Sequence, residues 1–208
     1  MDKETIFWNW FDNNKHIYEK ILINVSQLSQ EDIDIAMDLF ESNLHSYEEY
    51  LWFRMGGTNP FELIITAEGN KAFFPMVEKL VDNSPEIENW IIIPFIQPTN
   101  LFNFHYRKDD YELSDGDIYF SYSEDSSGIN GYFLEVMFYV EDAKFIDDDG
   151  FKSSIIRISE SALGEYDFAT IIGFIDVVKK STAYPKHESG LLPIHKLTEV
   201  SEAIKQKL

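Results

Sequence analysis

Residues 61–98, FELIITAEGNKAFFPMVEKLVDNSPEIENWIIIPFIQP, carry the clearest structural signal in the chain. Phe61, Leu63, Ile65 and Ala67 alternate with Glu62, Ile64 and Thr66, the period-2 pattern of a strand with one buried face. Glu68-Gly69-Asn70 breaks that strand, because glycine supplies the backbone freedom of a sharp turn. Phe73, Val77, Leu80 and Val81 then recur at helical spacing. Pro75 costs a helix least in its first turn, so the regular helix is expected to start near Phe74 and to stop at Asn83-Ser84-Pro85. Trp90–Ile96 is apolar on both faces and reads as a strand. Pro94 cannot donate to a ladder, which predicts a bulge or an outward-facing edge position. Strand, helix and strand in that order predict a right-handed βαβ unit with parallel strands.

Upstream, Phe7, Trp10, Phe11, Tyr18, Ile21 and Leu22 fall close to one stripe of a helix over 5–22. Trp8 lies off that stripe; a contact surface or packing against a neighbouring loop would account for it, and packing is the expectation. Ser29 followed by Glu31 and Asp32 marks a second helix start, and Ile33, Ala36, Met37, Phe40 and Leu44 carry its apolar face to about residue 45. Tyr47 to Met55 alternates as a strand. Gly56-Gly57-Thr58-Asn59-Pro60 turns it into the strand at 61, a hairpin. The Gly-Gly pair lacks the lysine and following helix of a phosphate loop.

Downstream, Leu101, Phe102, Phe104 and Tyr106 form an aromatic run before the polar Lys108-Asp109-Asp110. Strands are expected at Asp117–Ser123 and Tyr132–Val140, joined as a second hairpin by a loop over 124–130. A further strand is expected through Ile155, Ile156 and Ile158, a single glycine-closed helical turn at 159–164, and a nearly buried strand over Phe168–Val178. Thr182–Pro193 reads as loop. Thr198 is the expected cap of a last helix with Val200, Ala203, Ile204 and Leu208 inward. No internal repeat or low-complexity segment is visible.

The segments ELIITAEGNKAFFPMVEKLV (62–81), WIIIPFIQP (90–98) and LGEYDFATIIGFIDVV (163–178) resemble an uncharacterised family of bacterial proteins, over a span from Glu49 to Val178. The resemblance implies a bacterial origin and an α+β fold. No catalytic motif comes with it, so it carries over no functional residue.

With 208 residues and 44% hydrophobic composition the chain can bury a substantial core, and general disorder is excluded. It contains no cysteine, which removes disulfides, thiolate zinc sites and cysteine nucleophiles. No apolar run approaches the roughly 20 residues that cross a bilayer, and the N-terminus lacks the series of regions that makes a secretory signal; a cytoplasmic location is the expectation. The formal net charge is −20, from 37 acidic and 17 basic residues. Such a field repels phosphate backbones and anionic headgroups, so neither nucleic acid nor membrane is expected as a partner. The acidity is uneven. Residues 109–149 hold 13 Asp or Glu against the single Lys144, whereas residues 179–208 hold six Lys against three Glu. A solvated surface accounts for this, as does a surface that recruits a basic partner or cations.

Asp147-Asp148-Asp149-Gly150 invites a calcium reading. Placing Gly150 at the glycine of an EF-hand loop puts Phe145 and Ile156 at ligand positions, so no metal site is expected. His16, His45, His105, His187 and His195 form no HExxH or HxH pattern. His105-Tyr106-Arg107 beside Asp109-Asp110 is the most site-like cluster, although a strand would point its neighbours to opposite faces. Gly164-Glu165-Tyr166-Asp167 and Glu68-Gly69-Asn70 set polar groups at the ends of apolar elements, where turns use the same residues. No GxSxG elbow is present.

The expected fold is a single α+β domain over 1–208, with a mixed, mainly antiparallel sheet of six or seven strands. Two N-terminal helices, one crossover helix and a C-terminal helix complete it, and the alternative is a subdivision near 98–114. The expected function is that of a non-enzymatic interaction protein, in the manner of an inhibitor or toxin-neutralising protein. It would bind a basic partner through Asp109, Asp110, Asp115 and Asp117, without a cofactor. The competing reading is a hydrolase or other small-molecule enzyme using scattered carboxylates and His105.

Overall fold

Asp2 caps the first helix, α1 (Lys3–Asn24), its carboxylate accepting from the Thr5 amide at 2.8 Å. Ser29 caps the second, α2 (Gln30–Tyr47), accepting from the Asp32 amide. Each helix buries one stripe: Phe7, Phe11, Tyr18 and Ile21 on α1, and Ala36, Phe40 and Leu44 on α2. The computed structural model describes residues 1–99, 105–108, 111–128, 131–140, 149–179 and 190–207. These fall into two units, Met1–Ile96 and Gln97–Leu208.

In the first unit, β1 (Trp52–Gly57) pairs antiparallel with β2 (Phe61–Thr66). The expected strand from Tyr47 starts five residues later, because Tyr47 still belongs to α2, where it is buried. The hairpin turn needs Gly57: its φ is +72°, and a Cβ there would lie 2.6 Å from the Pro60 carbonyl oxygen. The helix α3 (Phe74–Asp82) carries Pro75 in its first turn, and β3 (Trp90–Pro94) returns parallel to β2. The βαβ reading of residues 61–98 holds.

All three strands turn Phe53, Leu63, Ile65 and Trp90 toward the helices, while Trp52, Glu62 and Ile91 are exposed on the opposite face. Trp8 is packed, as expected, but its polar partner is on α3 and not on a loop. It is buried on α1 and donates its indole N–H to the Leu80 carbonyl of α3 at 2.8 Å.

The second unit opens with an antiparallel pair, β4 (His105–Lys108) and β5 (Tyr111–Ser114). A longer hairpin follows, β6 (Ile118–Gly128) and β7 (Gly131–Val140). The expected loop over 124–130 is shorter than it reads, because β6 runs on to Gly128 through an irregularity after Asp125. Two corrections come next. Residues 149–163 form α4 (Asp149–Leu163) instead of a strand, burying Phe151, Ile155 and Ala162, a spacing of four and seven that suits a helix face. The expected strand over 168–178 is half helix: α5 (Glu165–Ile171) precedes β8 (Ile172–Lys179), which lies parallel to β7. Gly164, at φ +76°, separates the two helices. The short β9 (Leu192–Pro193) pairs with β6, and α6 (Leu197–Lys205) follows a single 3-10 turn. Thr198 is inside α6 and does not cap it, and Leu197, Ser201 and Ile204 are the buried positions, with Ala203 exposed.

The α+β class stands, but the single sheet of six or seven strands does not. Strands pair in the orders β1-β2-β3, β4-β5 and β8-β7-β6-β9. A physical reason lies in β3. The Phe95 amide donates to the Ile65 carbonyl on the β2 side, so position 94 would present its N–H on the outer edge, where proline has none. Each of the two larger sheets contains an antiparallel hairpin, a helical crossover and a third strand parallel to the second. Sequence shows no such repeat.

Glu4 of α1 is buried, and Lys79 of α3 holds it at 2.7 Å. That hydrogen bond, ahead of its backbone partner, keeps the Glu4 carboxyl below its ordinary range, against the opposing effect of burial. Burial and then the Glu4 charge push the Tyr47 phenol upward.

Two outcomes follow. Leu63 is fully buried, so Leu63→Ala should lower unfolding stability by about 2–5 kcal/mol in urea titration. A change under about 0.5 kcal/mol would remove β2 from the core. A carboxyl whose folded value is depressed stabilises the fold above its unfolded value, near pH 4.3, and loses that contribution on acidification. The urea midpoint should therefore fall more steeply between about pH 5.5 and pH 3 for the wild type than for Glu4→Gln. Parallel curves would show that Glu4 is not held in this way.

Candidate functional site

Asp115 and Asp117 lie on the 3-10 turn Asp115–Asp117 that links β5 to β6. Ser114 organises it: its amide and its hydroxyl both donate to Asp117 Oδ2, at 2.9 and 2.8 Å. Asp117 is exposed and Asp115 half-buried, and among the described residues neither has a cation as partner. Asp117 is thus also a structural cap. Asp109 and Asp110 lie outside the described residues, between β4 and β5 in sequence.

The competing cluster is only partly described. Residues 105–108 form β4, in register His105↔Ser114, Tyr106↔Leu113 and Arg107↔Glu112. The other described histidines have ordinary settings. His16 and His195 are exposed, and His45 Nε2 lies 3.1 Å from the Leu51 carbonyl oxygen. Of the acidic run 147–149, only Asp149 is described, as the first residue of α4. Among the described residues no group of three or more His, Asp or Glu is placed to hold a metal ion, and no helix is long and apolar enough to cross a membrane.

The two polar spots at the ends of apolar elements hold structure, one after β2 and one at the start of α5. Asn70 accepts from the Ala72 amide beyond the turn at Gly69, whose φ is +79°. Glu165 is fully buried at the start of α5, and Asp167 accepts from Lys205 of α6 at 2.6 Å. Asp167 first, and then Glu202, keep the Lys205 ammonium protonated above its ordinary range. Lys207 reaches Glu124 at 2.7 Å, and Lys196 reaches Glu199 at 2.6 Å. Lys196, Lys205 and Lys207 therefore neutralise acids of their own unit.

Another acidic surface escaped the sequence reading. The helix α2 carries Glu31, Asp32, Asp34, Asp38 and Glu41 and no Lys or Arg. Its unit holds 17 Asp or Glu against six Lys or Arg. The first two acids read as helix-start chemistry and hid the run, although the missing basic residues were legible.

Compared with models of protein families, with curated proteins and with solved structures, the chain matches none of them.

The turn at 115–117 separates a structural from a surface carboxylate. Asp117→Ala leaves the Ser114 amide without its acceptor and should cost about 0.5–2 kcal/mol in thermal or urea unfolding. Asp115→Asn should stay within about 0.5 kcal/mol of the wild type. Equal losses would mean that both are structural.

Proposed function

We propose that this chain is a non-enzymatic interaction protein that binds a basic protein partner through acidic surface, in the manner of an inhibitor or neutralising protein. The observation that carries the reading is uncompensated acidity: 37 acidic side chains against 17 basic ones, with several basic ones committed to internal pairs. Asp109, Asp110, Asp115 and Asp117 form the proposed contact in the acidic middle of the chain. An excess of one sign steers an oppositely charged protein and raises its association rate more than its affinity. Membership of the uncharacterised bacterial family that the chain resembles belongs to the same proposal and adds no activity to it.

Capture from the source cell supplies the candidate partner, and association kinetics supply the test. The partner should associate fastest at low ionic strength and slow down as salt shortens the reach of the field to about 8 Å at physiological strength. Replacing Asp109, Asp110 and Asp115 together by Asn should slow association at low salt by about threefold or more, with dissociation little changed. Asp117 is left in place, since it holds Ser114. An association rate indifferent to salt would show that the charge serves solubility alone. A rate that salt still slows but that the triple variant matches would move the contact to another acidic surface.

A further inference from the structure

Between α1 and α2 runs an open groove of about 340 Å³, lined mainly by apolar side chains that include Ile17, Ile21, Leu28, Ile35 and Leu39. Its outer wall is exposed: Ile35 is 61% and Leu39 41% accessible. Helical spacing orders what surrounds it. Ile35 and Leu39 are four residues apart and make one ridge along α2. Asp34, Asp38 and Glu41, at spacings of four and three, make the next row outward, and Glu31 stands one turn before Ile35. The opposite wall belongs to α1 and carries Lys20, while the α2 wall carries Asp32, whose carboxylate accepts from the Ser29 hydroxyl. The groove is thus an apolar floor with a carboxylate row on one side and an ammonium on the other.

We infer that this groove is a docking site for an amphipathic helix of a basic partner protein. An amphipathic helix laid in a groove buries an apolar stripe at i, i+3, i+4 and i+7, which is what the ridge and floor would receive. Charge selects the occupant. Lysines or arginines along the side that faces α2 meet Asp34, Asp38 and Glu31, and a neutral or acidic side faces Lys20. A second copy of this chain would set acidic rows against each other, and an anionic lipid surface would meet the same repulsion. The lining of the groove on α2 runs from Asp32 to Leu39, about 11 Å, which receives about two turns of a partner helix. The inference rests on the reading of the chain as an interaction protein but assigns a different surface from residues 109–117.

The test uses the full chain and three labelled peptides of about 18 residues, followed by fluorescence anisotropy. One has leucines on one helical face and lysines on the other. The second replaces its lysines by glutamates, and the third replaces its leucines by serines. The first should bind at least about tenfold more tightly than either of the others. Ile35→Ser with Leu39→Ser should weaken that binding about tenfold or more; both residues are exposed, so the fold should tolerate the change. Asp34→Asn with Asp38→Asn should weaken it several-fold at low salt and flatten its salt dependence. The Asp109, Asp110 and Asp115 variant should bind the peptide as the wild type does.

Three results would overturn the inference. The serine variant could bind the leucine–lysine peptide with unchanged affinity. The glutamate peptide could bind equally well. Sedimentation could show the wild type to be a dimer that the serine variant loses, which would make the groove a self-association surface. Loss of peptide binding in the 109, 110 and 115 variant alone would return the contact to the acidic middle of the chain, so failure here is separable from failure of the broader reading.

Discussion

Phe40 is the contact on which the first unit depends. Its ring is fully buried, with centroids 5.7 Å from Phe7 and from Phe11, 5.4 Å from Tyr18 and 4.1 Å from Phe53. One side chain of α2 thereby fixes α1 and the first strand at once. The pairs with Phe7, Phe11 and Tyr18 are edge-to-face, a geometry that contributes about 0.5–1.5 kcal/mol each beyond the burial of their area. Phe11 passes the packing on to Trp90 at 5.1 Å, so the return strand of the βαβ unit closes on the same cluster. Because that cluster draws one face of the helices inward, Ile35 and Leu39 on α2 are turned outward. The groove between the helices is a consequence of how the core is satisfied.

The second unit meets the same requirement with aliphatic and aromatic rows. Leu134, Val136, Phe138 and Val140 alternate along β7 and share a cluster with Phe151 and Ile155 of α4, Ile171 of α5 and Ile204 of α6. In both units a hairpin alone would leave one apolar face wet. A crossover helix covers that face and brings back a strand parallel to the second.

Electrostatics divides the surface differently from composition. Of the lysines that make the last thirty residues basic on paper, Lys196, Lys205 and Lys207 are bound to Glu199, to Asp167 and Glu202, and to Glu124. The carboxylates of α2 have no such counterweight on their own helix, apart from His45, whose ring nitrogen lies 3.7 Å from Glu41. Charge along a sequence averages over neighbours in the chain, whereas a partner meets neighbours in space. That difference is why the acidic middle drew attention in the sequence and α2 did not.

Much of the first unit was legible from residues alone. Alternation at 61–67, the proline tolerated in a first helical turn and the caps at Ser29 and Asn83 each reflect a local preference that packing then reinforces. Reading failed where two periods overlap. Ile155, Ile156 and Ile158 look like strand, but Phe151, Ile155 and Ala162 recur at helical spacing, and that longer pattern is the buried one. Residues 165–171 are rich in apolar and aromatic side chains and still form a helix after Gly164, because local propensity yields to the face that must be covered. By itself the sequence determined the α+β class, the βαβ unit and the acidic balance, since these depend on periodicity, turn chemistry and composition. Only the tertiary structure decided that the strands divide among separate sheets and that Lys196, Lys205 and Lys207 are spoken for. It alone showed an apolar groove beside the acids of α2, because pairing, neutralisation and exposure depend on which distant residues meet.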